Sequence, residues 1–157
     1  MGFLDKIKSA KNYLTGGGAK LFVEVLEPGF DEPFSVRVRA EVSDSDLKIN
    51  GVYLKIKGEE EVIIPDVLVA DRTGDDVEVR RENVARETVT FEATVQVEGA
   101  QTLDAGQTYE WEVQVTLNDD CLPTYDGPLA KHRWLFLAGL DKTGNDPDSG
   151  WTAAEIY

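Results

Sequence analysis

From Ala19 onward, apolar and polar residues alternate with a period of two, the spacing of a strand with one face buried. Leu21, Val23 and Val25 alternate with Phe22, Glu24 and Leu26, and Pro28-Gly29 then marks a turn. Phe34, Val36, Val38, Ala40 and Val42 face one way, with Arg37, Arg39 and Glu41 between them. That is the pattern of a half-buried antiparallel strand. Asn50-Gly51 signals a turn, and Val52, Leu54 and Ile56 follow in alternation with Tyr53, Lys55 and Lys57. Val89, Phe91, Ala93, Val95 and Val97 form a further apolar row, as do Tyr109, Trp111, Val113, Val115 and Leu117. His132, Trp134, Phe136 and Ala138 continue the series in a strand that is apolar on both faces at its middle, which predicts a central position. Trp151 to Tyr157 reads as a last short strand.

Residues 59–86 are less regular. Pro65 interrupts the apolar run Val62-Ile63-Ile64, and Thr73-Gly74-Asp75-Asp76 is a turn. One or two short edge strands and a polar loop are expected there. Leu103 to Gly106 is expected to be a turn. Roughly eight strands, with turn signals about every ten residues and no helix between them, predict an all-β, two-sheet antiparallel sandwich of immunoglobulin-like type.

The period differs only at the start of the chain. Over residues 2–15, Phe3, Leu4, Ile7, Ala10, Lys11 and Leu14 follow helical spacing, which predicts a short amphipathic helix. Thr15-Gly16-Gly17-Gly18 ends it, because consecutive glycines make a flexible hinge. Two units are therefore expected: a helix with its hinge over 1–18, and a sandwich over 19–157. The helix suits docking on a sheet edge of its own domain, or contact with a partner groove or an anionic membrane surface. The residues that would make a partner or membrane contact are Phe3, Leu4, Lys6, Ile7, Lys8, Lys11 and Leu14. One short element of this kind binds lipid only weakly.

Two segments carry a likeness to a known family. One is Leu26 to Glu60, where the Pro28-Gly29 turn leads through SVRVRAEV into LKINGVYLKIKGEE. The other is Leu122-Pro123-Thr124-Tyr125-Asp126-Gly127 and the strand through Trp134. With these, the chain resembles one lobe of an arrestin-like β-sandwich, of the kind found in the bacterial sporulation-control proteins. Thr124 stands where that pattern has a second proline. The resemblance implies the fold and an adaptor-like role, and it carries over no receptor-binding residue.

Composition narrows the function. A chain of 157 residues fits one domain, large enough to bury roughly 70% of its unfolded surface without a covalent staple. The single Cys121 allows no internal disulfide and suits a reducing cytoplasm, the expected location. One Cys and one His leave no His/Cys zinc site within the chain. No apolar run of membrane-spanning length occurs. Charges at Asp5, Lys6, Lys8 and Lys11 argue against a signal peptide, and Lys6 against a myristoylation start at Gly2. The net charge is −14, with four Lys and one Asp in residues 1–20. An acidic body repels phosphate backbones, so nucleic acid is not an expected partner.

Three candidate sites have a plain structural reading beside the functional one. Asp141, Asn145, Asp146 and Asp148 in the 141–150 loop could offer oxygens to a hard cation, but the spacing is not that of an EF-hand and these are also ordinary turn residues. Cys121, Asp126 and His132 are the elements of a nucleophile, acid and base, yet no Gly-rich oxyanion loop accompanies them. Trp111 and Trp134 are in phase with the core, leaving Trp151 as the tryptophan better placed for an exposed contact. No catalytic cluster and no cofactor are expected. The sequence predicts a non-enzymatic module that binds another protein. Its alternative is a structural or self-assembling protein, a homo-oligomer or membrane-surface protein that uses the N-terminal helix.

Overall fold

The computed structural model describes residues 18–157. The helix expected over residues 2–15 lies outside them. The described chain is all β, in chain order β1 (Ala19–Leu26), β2 (Phe34–Val42), β3 (Leu47–Ile49), β4 (Gly51–Thr73), β5 (Asp76–Glu98), β6 (Gln101–Leu103), β7 (Thr108–Val115), β8 (Tyr125–Asp126), β9 (Ala130–Asp141) and β10 (Thr152–Ala154). Strands β1-β2-β7 form one sheet and β10-β9-β4-β5 the other, with β8 added to β9 and a small β3-β6 pair at one end. All strand pairings are antiparallel.

The expected inward rows fill the space between the sheets. Phe34, Val36, Val38, Ala40 and Val42 of β2 are buried, as are Val52, Leu54 and Ile56 of β4 and Trp134, Phe136 and Ala138 of β9. The core has two clusters. One gathers Leu21, Ala40, Ile49, Val52, Leu103 and Leu140 at the pole where β1 begins. The other gathers Phe34, Ile56, Trp134, Phe136 and Ile156 toward the opposite pole. Trp134 lies edge-on to Phe30, tilted against Phe91, and donates its indole N–H to the Leu122 carbonyl at 2.9 Å. That bond lets a polar ring be fully buried without an unmet donor. On the outer face of β2, Arg37 reaches Glu24, Glu110 and Glu112 on its two neighbouring strands, the cross-strand pairing expected of a solvated sheet face.

Trp111 packs against the first core cluster, partly buried and stacked on Tyr109. Two expectations are corrected. Leu103 belongs to a short strand, β6, and is buried. The larger correction concerns residues 59–86, which are not short strands and a loop. β4 and β5 are each 23 residues long and pair from Val52–Glu98 to Thr73–Asp76. Pro65 does not end β4, because it sits in a bulge. Ile64 pairs Val84 and Val67 pairs Glu82, so Pro65 and Asp66 together oppose Asn83. A bulged residue needs no ladder hydrogen bond, so a proline is tolerated there. Asp66 takes φ of 56°, and its N–H bonds Asn83 Oδ1 at 3.2 Å.

Candidate functional site: the β4–β5 ribbon and its base

Strand β9 accompanies β4 only as far as the Val62–Ala130 pair. Beyond it, among the described residues, β4 and β5 run on as a two-stranded ribbon with no third strand. At about 3.3 Å per residue, residues 63–73 carry it roughly 35 Å from the sheet. It closes at Gly74-Asp75, where Gly74 has φ of 66°, a conformation that strains any residue with a side chain.

The register sorts the ribbon's side chains. Leu68 and Ala70 share a face with Val79 and Val77, flanked by Arg72 and Arg81. Leu68 is 62% exposed, Val77 58% and Val79 54%. The other face is tied by ion pairs from Arg80 to Asp71 and Glu82. Two-stranded ribbons gain little from burial and are marginal in water. Large apolar side chains grouped on such an element make it a candidate contact surface.

At the ribbon's base a pocket of about 210 Å³ is lined by Glu60, Glu87, Tyr125, Lys131, His132 and Arg133, among others. The strands place these groups by register: His132 pairs Glu60 of β4 and Tyr125 of β8. The Tyr125 hydroxyl donates to Glu60, which pushes its pKa up. Burial pushes the Glu59 carboxyl up, but bonds and charge from Lys57 and Arg133 outweigh it and hold Glu59 below the usual carboxylate range. His132 is buried, with Nε2 at 2.7 Å from Thr90 Oγ1. Among the described residues, its Nδ1 meets no group at hydrogen-bond geometry. Burial lowers its pKa, opposed by the Pro123 backbone and by the charge of Glu60. The ring is therefore held neutral near pH 7.

Cys121, Asp126 and His132 are each bonded elsewhere. The Cys121 thiol donates to Asn118 Oδ1 at 3.2 Å, and burial pushes its pKa up, away from thiolate. Asp126 pairs with Lys131 at 3.3 Å. The 141–150 loop uses its carboxylates as caps: Asp146 accepts from Tyr53 O–H and Lys142 N–H, and Asp148 from Gly150 N–H. Among the described residues, no group of three or more His, Cys, Asp or Glu could hold a metal ion. Trp151 is half-buried, with Lys57 Nζ 4.6 Å above its ring.

The contact residues expected in the leader, Phe3, Leu4, Lys6, Ile7, Lys8, Lys11 and Leu14, lie outside the described residues. Gly18 fixes where the leader joins. Its carbonyl accepts from Ser43 N–H at the pole opposite the ribbon. Sequence reasoning missed the ribbon's apolar face. The signal available was the alternation of Val77, Val79 and Arg81 after a Gly-Asp turn. Among the described residues, no helix is long and apolar enough to cross a membrane.

No family model matches this chain, and no curated protein does. Among solved structures it is similar to the sporulation control protein Spo0M from Bacillus subtilis, with a TM-score of 0.56 and 15% identity. The match covers 90% of this chain and 50% of Spo0M, so the chain spans half the length of that protein. At that identity the likeness establishes the fold alone. By fold, the chain is an arrestin-like β-sandwich.

Proposed function

We propose that the chain is a non-enzymatic protein-interaction module of adaptor or regulatory type. It docks another protein on the ribbon, and the amphipathic segment expected over residues 2–15 supplies a second contact. The observation that carries this reading is the grouping of Leu68, Val77 and Val79 on one exposed ribbon face. An apolar face held away from the sandwich contributes nothing to its core and is free to be covered by a partner. The bonding of Cys121, Asp126 and His132 to separate partners supports binding over catalysis. Likeness to a protein described as a sporulation control protein supports a regulatory role.

Leu68→Asp with Val79→Asp tests the reading in a pull-down from native extract. Both positions are exposed, so the thermal midpoint should stay within a few degrees, with changes of about 0.5 kcal/mol or less. A partner held by the wild type and released by the variant supports the proposal. Equal retention by both chains removes the ribbon from it.

A further inference from the structure

We propose that two copies of this chain join edge to edge through β5, continuing the larger sheet across a two-fold axis. β5 is the last strand of its sheet, so no strand lies along its outer edge among the described residues. Proteins blunt such an edge with charged side chains, proline, bulges or short length. β5 runs 23 residues without lysine or proline, and its charges between Val79 and Val89 are of both signs, which a second copy can match. It carries Val77, Val79 and Val89 at 58%, 54% and 52% exposed. A bulge where Gly58 pairs Phe91 and Glu59 pairs Val89 leaves Thr90 unpaired and ends the regular run at Val89.

The run up to Val89 is complementary to itself when reversed. With the two-fold axis at Val84, Val84 meets its own copy, Asn83 meets Ala85, and Arg80 meets Thr88. Glu82 then faces Arg86, Arg81 faces Glu87, and Val79 faces Val89. Symmetry makes each of these last pairs twice, as a self-complementary two-fold contact requires. Directly opposed unlike charges and paired apolar side chains both favour a strand pairing, and like charges oppose it. A slip of two residues moves the axis to Asn83 or Ala85 and loses both the Glu82–Arg86 and the Arg81–Glu87 pairs, and at Asn83 it also sets Arg80 against Arg86, so the pattern favours the register through Val84. Arg86 is available for this role. It donates only to the Ala85 carbonyl, at 3.4 Å, and pairs with no carboxylate among the described residues.

This goes beyond the ribbon face proposed for another protein, because the second copy takes the edge of β5 and leaves Leu68 of β4 uncovered. The test is the mass of the full chain by light scattering and sedimentation equilibrium over a range of concentrations. The wild type should pass reversibly from one to two chain masses. Arg86→Glu places Glu opposite Glu82 twice, and Glu82→Lys places Lys opposite Arg86 twice. Each should raise the dimer dissociation constant at least about tenfold. Mixed in equal amounts, the two variants restore both charge pairs and should form a one-to-one dimer. Both positions are exposed, and circular dichroism verifies that each variant is folded. A wild type monomeric throughout, single variants that dimerise as well as the wild type, or a mixture that does not associate would each overturn the proposal. Val79 serves both surfaces, so Leu68→Asp alone separates the two readings, because it changes the ribbon face on β4 and leaves every pair across the β5 edge in place.

Discussion

The hydroxyl of Thr90 meets Nε2 of His132 at 2.7 Å, directly over Gly58. Thr90 is the residue that the β5 bulge leaves unpaired, and His132 lies two strands away on β9. The bond therefore ties the start of the ribbon to the last part of the sheet that β9 supports.

Gly58 is what allows this approach. A Cβ there would stand 2.7 Å from Thr90 Oγ1 and 3.2 Å from His132 Nε2. Gly58→Ala should lower stability by about 1–3 kcal/mol, the usual range for an overpacked site, measured as a shift in the urea midpoint. Removing the hydroxyl with Thr90→Ala should recover part of that loss in the double variant. No recovery would show that the crowding lies elsewhere.

His132 makes stability depend on pH in a definite direction. Its pKa is lowered in the folded chain from an ordinary value of 6.5, chiefly by burial. Above 6.5 both folded and unfolded chains hold a neutral ring, and the contribution is complete. Below 6.5 the unfolded chain takes up the proton first, so stability falls as pH drops toward the folded pKa. Most carboxylates titrate nearer pH 4, which leaves roughly pH 5 to 6.5 to this group. Urea midpoints should be level from pH 8 to 7 and fall below about 6.5. His132→Asn should flatten the curve in that window. An unchanged slope would assign it to other groups.

Tyr53 and Gly139 are cross-strand partners, and the tyrosine ring covers the glycine. The ring's hydroxyl donates to Asp146 at 3.2 Å. Burial, with the nearby carboxylate of Asp146, pushes the Tyr53 pKa up to about 12. In an ultraviolet titration Tyr53 should ionise late, as should Tyr125 beside Glu60, and Asp146→Asn should bring only the Tyr53 step earlier. Gly139→Ala would displace the ring and should do the same. A tyrosinate signal unaffected by either substitution would detach Tyr53 from that loop.

The ribbon should be separable from the sandwich. Ile64 and Val84 are paired across it, so an Asn-Gly link between them, replacing residues 65–83, closes a two-residue hairpin. No side chain from 65–83 belongs to either core cluster. The shortened chain should keep its β-sheet dichroism and lose no more than about 1 kcal/mol. Cooperative unfolding at a much lower temperature would show that the ribbon supports the core.

The sandwich was legible because a half-buried strand must alternate, and alternation is written in the residues themselves. The rows Phe34 to Val42 and His132 to Ala138 could face a core in only one way. The central place of β9 followed from apolar residues on both its faces. The ribbon was not legible, because a strand with neither face in the core need not alternate, and Pro65 reads as a break unless a bulge excuses its missing N–H. The chemistry of Cys121, Asp126 and His132 was equally undecided in the sequence, since residue types do not state their partners. Strand register decided it, by bringing Thr90 to His132 and Lys131 to Asp126. Local pattern thus determined which faces are buried. Only tertiary pairing could determine which edge stays open and which polar groups meet, because both depend on residues far apart in the chain.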